Sequence, residues 1–224
     1  MELKEVLEKV VLALKEAKAT YALTGGIAVD FYGFPRATHD IDVVVSTNGN
    51  LLRLVSVLEK MGFEIDRREV GLMLEKGNSF VAHFGPHRVD FWLARTEGQK
   101  KELRRARAVR ILGKKVQIIS PEDLIIHKLD VGRGRDYDDA LGILVRQKGK
   151  LQKRYVISRA AARGLDGALG KLLQEAGELP KERIEIRGRC KFCESTNIVK
   201  AGIHYAGGRK QRWLCKDCGR IFLR

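Results

Sequence analysis

No stretch of the 224 residues is long and apolar enough to form a membrane span. The opening MELKEVLEKVVLALKEAKA mixes charges with apolar residues at helical spacing, unlike a secretory signal, so a cytoplasmic protein with no membrane partner is expected. There is no internal repeat and no low-complexity tract, which excludes solenoid arrays and compositionally disordered chains. Acidic residues are scarce relative to basic ones: 28 Asp and Glu face 43 Lys and Arg, a net charge of +15 that favours a polyanionic partner such as nucleic acid. No cysteine precedes Cys190, so the bulk of the chain has no disulfide framework. Histidines are few, and His39, His83, His87 and His127 show neither paired metal spacing nor an adjacent nucleophile, which leaves them ordinary hydrogen-bonded roles.

What is present describes a globular chain with a heavily charged surface, 44% hydrophobic and 32% charged, long enough for one large domain plus a small one. Leu3, Val6, Leu7, Val10, Val11 and Leu14 recur at three- and four-residue steps and predict an amphipathic helix over 1–19. A short strand at 21–24, a helix at 27–32 ended by Gly33 and Pro35, a strand at 39–46 and a helix at 51–61 follow. Residues 63–93 read as a meander of strands broken at Gly71, at 76–78 and at Gly85-Pro86, then 97–108 as a basic helix and 110–119 as a hairpin. Ser120 as cap, Pro121 in the first turn and Asp123 three residues on predict a helix to Val131. Helices at 136–147 and across much of 152–176 complete the pattern. The expected organisation is a core at 1–119, a helical extension at 120–176, a linker at 177–189 and a cysteine-bearing tail at 190–224.

Within this pattern TGGIAVDFYGFPRATHDIDVVV places Asp40 and Asp42 in an apolar strand-like run. Side chains two apart on a strand share a face roughly 6.6 Å apart, so both carboxylates point to one place. Asp90, between Val89 and Phe91 on another apolar strand, can bring a third. Gly25 and Gly26 follow a strand and precede a helix, which offers backbone N–H groups to a phosphate. Hard oxygen ligands of this kind suit Mg²⁺; the alternative is a solvated acidic cluster.

Leu23-Thr24-Gly25-Gly26, Asp40-Ile41-Asp42-Val43 and Val89-Asp90-Phe91, in that order and with thirteen residues between Gly26 and Asp40, resemble the DNA polymerase β-like nucleotidyltransferase superfamily. The resemblance covers about residues 21–147. It implies an α+β fold with a mixed sheet and flanking helices, and Mg²⁺-dependent transfer of NMP from an NTP such as ATP to an acceptor hydroxyl. Asp40, Asp42 and Asp90 would hold one or two Mg²⁺ ions, and Gly25 and Gly26 would contact phosphates. SPEDLIIHKLDVGRGRDYDDALGIL narrows the likeness to the minimal nucleotidyltransferases that include abortive-infection toxins, with a protein antitoxin as the implied partner. Lys128 falls in an apolar stripe with Leu124, Ile125 and Leu129, and a lysine there needs an anionic partner. Arg36 and Lys128 either bind the triphosphate, with Asp136 holding Lys128, or Lys128 and Asp136 form a structural ion pair.

The tail carries Cys190-x-x-Cys193 and Cys215-x-x-Cys218 with 21 residues between the pairs, a four-cysteine zinc spacing. Four thiolates make a closed, structural Zn²⁺ site, and a segment this short needs the metal to fold. The alternative of two local disulfides does not suit a reducing compartment. The segment resembles the zinc ribbons of insertion-element transposase proteins, with Gly219 at a knuckle and Glu194 where such ribbons often carry glycine. Lys200, Arg209, Lys210, Arg212 and Trp213 either grip nucleic acid, plausibly a tRNA end, or Trp213 joins Phe222 in the ribbon core while the charges are solvated. Two rival functions stay open: a non-catalytic nucleic-acid-binding regulator on the same scaffold, and a nucleotidyltransferase acting on a small molecule or a protein.

Overall fold

The computed structural model describes residues 2–47, 50–76, 79–178, 190, 192–193, 198–204 and 210–223. They form two compact units, one made of residues 1–28 and 37–120, the other of residues 29–36 and 121–224. Among the described residues no helix is long and apolar enough to cross a membrane.

The first unit is built on a seven-stranded mixed sheet: β1 (Thr20–Thr24), β2 (Ile41–Ser46), β3 (Glu64–Ile65), β4 (Ser79–Phe84), β5 (His87–Leu93), β6 (Arg107–Ile111) and β7 (Lys114–Ile118). Their order across the sheet is β3-β4-β5-β2-β1-β7-β6. β1 runs antiparallel to β2 and parallel to β7, and β2 runs parallel to β5. Alternation sends Ile41, Val43 and Val45 of β2 and Val89 and Phe91 of β5 into the core, where Phe91 stacks on Phe80 of β4 with ring centroids 4.8 Å apart. Helix α1 (Leu3–Glu16) buries the predicted stripe of Val6, Leu7, Val10, Val11 and Leu14. Helix α2 spans Gly25–Tyr32; α3 (Leu51–Lys60) starts at Asn50, whose side chain accepts the Arg53 N–H.

Two segments depart from expectation. The meander predicted for 63–93 contains a helix, α4 (Arg67–Lys76), that runs through Gly71. Asp66 starts it: its carboxylate accepts the Arg68 N–H at 2.8 Å and its carbonyl accepts the Val70 N–H at 3.1 Å. The basic helix predicted to reach residue 108 is α5 (Glu97–Arg104), begun by a capping box between Thr96 and Gln99. It stops early because Arg107 and Ala108 join β6 opposite Ile118 and Gln117, an exchange of helical for ladder hydrogen bonds.

The second unit contains α6 (Pro121–Val131), α7 (Gly134–Arg146), α8 (Lys153–Ala161) and α9 (Asp166–Glu178), with a three-stranded sheet of β8 (Ile198–His204), β9 (Lys210–Cys215) and β10 (Ile221–Leu223). Pro121 sits at the first helical position, where its missing N–H costs nothing. The buried acids at the start of α6 serve α8: Glu122 accepts the Gln152 N–H at 3.0 Å and Asp123 accepts the Tyr155 hydroxyl at 2.6 Å.

Candidate active site

Asp42 and Asp90 meet in register on the neighbouring strands β2 and β5, beside the end of β1. β2 begins at Ile41, so Asp40 stands one residue ahead of the strand instead of within it, with its carbonyl accepting the Thr38 hydroxyl at 3.3 Å. Asp42 lies opposite Thr24 of β1 on one side and opposite Asp90 of β5 on the other. Register partners on adjacent strands share a face and lie about 4.8 Å apart, so Asp42 and Asp90 form one acidic front. Both are half-buried, and Asp40 is exposed.

Gly25 closes this front from the β1 side. Its φ of +57° is a left-handed conformation, and a Cβ there would collide with the Asp42 carboxylate. A Cβ on Gly26 would collide with the Thr38 side chain. The pair therefore presents bare backbone and the start of α2, which has no acidic residue in its first turn, beside a carboxylate. Hard anionic donors beside a turn of bare backbone fit Mg²⁺, so the residues present suit the ion the fold implies.

Sequence reasoning missed Arg88. It sits two residues before Asp90 on the same face of β5 and grips that carboxylate with both ends of its guanidinium: Nε lies 3.0 Å from Oδ1 and Oδ2, and Nη2 lies 2.7 Å from Oδ1. Its pKa is raised, first by these hydrogen bonds and the Asp90 charge, with further contributions from Asp40 and Asp42. The R-x-D spacing was the available signal. On the same face Trp92 is 46% exposed, although its register partner Val44 is buried.

In the second unit Lys128 is enclosed by carboxylates, 2.7 Å from Asp136 and 2.9 Å from Asp139. Asp139 also holds Arg36 at 3.3 Å. Asp136 and Asp139 are buried, and the four charges cancel as two cations and two anions. Lys128 against Asp136 is the contact both sequence readings share, and Asp139 bridges Lys128 to Arg36. Taking one partner from such a buried set costs on the order of 3–5 kcal/mol.

The four cysteine sulfurs all lie within 4.8 Å of one another, Cys190 3.7 Å from Cys218 and Cys193 3.5 Å from Cys215. All four are free thiols, in place of the disulfide alternative. The Phe192 N–H donates to Cys190 at 3.4 Å, and Gly219, at φ +72°, donates its N–H to the Cys215 carbonyl at 2.9 Å. Backbone N–H bonds from Cys218, then from Asp217, lower the Cys215 thiol to about 6, toward the thiolate a metal requires. The donor set fits Zn²⁺.

Around this cluster the expected nucleic-acid face is corrected in part. Trp213 is 7% exposed and packs with Cys190, Ile198, Cys215 and Phe222, so its ring is spent on the ribbon core and is not free to stack on a base. Arg212 faces Asp138 of α7 at 3.9 Å; burial raises the Asp138 pKa and the Arg212 charge opposes that rise. Of the linker expected at 177–189, residues 177–178 belong to α9, and residues 179–189, with Arg209, Glu194 and the side chains of Lys200 and Lys210, lie outside the described residues.

A glycine turn feeding a helix, set beside carboxylates in register on adjacent strands of a mixed sheet, defines a nucleotidyltransferase, an enzyme class that transfers nucleotidyl groups. The family model for aminoglycoside-2''-adenylyltransferase matches residues 6–140, and the chain belongs to that family. Among solved structures, the solution structure of the antibiotic-resistance factor ANT(2'')-Ia is similar with a TM-score of 0.52 at 18% identity, covering 78% of this chain and 100% of that one. The crystal structure of ANT(2'')-Ia in complex with adenylyl-2''-tobramycin gives a TM-score of 0.51 at 17% identity, covering 71% and 96%. At these identities the likeness is one of fold. No curated protein matches the chain. The cysteine cluster lies beyond the residues that the family model matches.

Proposed function

We propose that the chain transfers NMP from an NTP, ATP by analogy with its family, to a hydroxyl of an RNA such as a tRNA end: the hydroxyl oxygen bonds to the α-phosphorus and pyrophosphate leaves. The register of Asp42 against Asp90 beside Gly25 carries the reading. Backbone N–H groups at Gly25 and Gly26 bind the phosphates from the β1 side. Asp40, Asp42 and Asp90 hold one or two Mg²⁺ ions, which when bound neutralise phosphate charge and activate the attacking oxygen. β5 lies on the side of Asp42 away from Gly25, which supports an acceptor that approaches across β5 and gives its hydroxyl proton to Asp90. Two observations favour a base-bearing polyanion there: the net charge of +15 and the exposed ring of Trp92 two residues beyond Asp90. Arg36, Lys128, Asp136 and Asp139 serve as a structural ion cluster. The cysteines hold one structural Zn²⁺.

Family membership favours a second reading, transfer to a small-molecule hydroxyl, against which the positive charge speaks only where that acceptor is itself a polycation. Incubation with α-labelled ATP and Mg²⁺, offering bulk RNA and an aminoglycoside panel in parallel, separates the two. Label is expected on RNA, and lost in Asp42→Asn. Label confined to the small molecules would replace the RNA reading, and labelling unchanged by Asp42→Asn would remove the proposed site.

A further inference from the structure

Two carboxylates in register on one front repel each other, and a fold that assembles them before any cation arrives needs a counter-charge. Here that charge is Arg88. Its guanidinium occupies both oxygens of Asp90, the same atoms a divalent ion needs. The carboxylate oxygens do not close up as the cysteine sulfurs do: among the described residues the cysteines are the set of three or more ligand-type side chains whose donor atoms lie within 4.8 Å. Asp90 is thus held toward Arg88.

The pair is built to let go. Arg88 is 52% exposed while Asp90 is 14% exposed, so the carboxylate is fixed in the sheet and the cation reaches to it from solvent. Exposed pairs contribute little net stability, because water and salt compete for the charges, yet the bidentate fork still sets the carboxylate's orientation. A divalent ion arriving with nucleotide carries twice the charge and can displace the guanidinium at little cost. Arg88 would then stay on the β5 side, where the acceptor approaches.

From this we infer that Arg88 is a positioning residue that holds Asp90 as a surrogate cation until the divalent ion displaces it, so that metal and guanidinium compete for one carboxylate. The inference rests on the metal-binding reading of Asp42 and Asp90 given above. It reaches beyond that reading by assigning Arg88 a role opposed to metal affinity and favourable to a prearranged site.

The test is Mn²⁺ binding to nucleotide-free protein, followed by the electron paramagnetic resonance signal of free Mn²⁺, in wild type, Arg88→Gln, Arg88→Lys and Asp90→Asn, with circular dichroism to confirm folding. Arg88→Gln should bind Mn²⁺ about tenfold more tightly than wild type, as expected when a unit positive charge leaves the immediate neighbourhood of a divalent ion. Arg88→Lys, which keeps the charge and loses the fork, should fall between them and serves alone if the glutamine variant does not fold. Binding unchanged or weakened in both Arg88 variants, while Asp90→Asn loses it, would overturn the competition and leave the metal site standing. Binding equal in wild type and Asp90→Asn would overturn the metal reading, and the inference with it.

Discussion

At the scale of the residue, the site depends on close approaches that one extra methyl group would end. Gly25 leaves room for the Asp42 carboxylate only because it has no side chain, and its positive φ disfavours any other residue. Gly25→Ala should therefore lower kcat/KM for nucleotidyl transfer by roughly 100-fold, the scale of a misplacement near 1 Å. Its thermal stability should fall by only about 1–2 kcal/mol, the cost of a left-handed non-glycine residue. Steady-state kinetics and a melting curve on the same preparation check both halves; an alanine variant with normal kinetics would show that the turn does not touch the reacting groups. The contrast with Gly71 is instructive, since a Cβ there would meet nothing within 4 Å and the helix simply runs through it.

At the scale of the element, short-range signals were legible wherever they decided the outcome locally. The apolar stripe of α1 and the Ser-Pro start of α6 could be read from residues alone, because periodicity and capping are encoded within one or two turns. Helix α4 could not: only Val70 of its first turns is buried, so it shows no stripe, and Gly71 reads as a breaker until Asp66 is seen to cap the segment. The early end of α5 was hidden for another reason, since Arg107 and Ala108 are drawn into β6 by a partner strand nearer the C-terminus. In the ribbon, spacing revealed the cysteine cluster, but the choice between core and contact for Trp213 depended on packing. The chain has two tryptophans, and Trp213 is the one in the ribbon, so metal loss there has its own optical signature. In a Trp92→Phe background a strong chelator should remove one Zn²⁺ per chain and red-shift Trp213 emission as its core opens. Unshifted emission after metal removal would mean that the ribbon packs without the ion.

At the scale of the whole molecule, the family match and the cysteine cluster occupy different parts of the chain: residues 6–140 carry the nucleotidyltransferase pattern and the four-cysteine cluster follows it. Asp42 and Asp90 stand out in the sequence because each interrupts an apolar strand, whereas Asp40 precedes β2. Arg88 was signalled only by its R-x-D spacing on β5, and the place of Asp139 between Lys128 and Arg36 is decided by tertiary packing.

The central claim, that Asp42 and Asp90 together hold the ion that serves nucleotidyl transfer, is tested most directly by Mn²⁺ titration in the presence of a non-hydrolysable ATP analogue. Wild type should take up the ion, and Asp42→Asn and Asp90→Asn should each weaken uptake by tenfold or more, on the order of 1.4 kcal/mol. Titration curves that superimpose on wild type in both variants would contradict it.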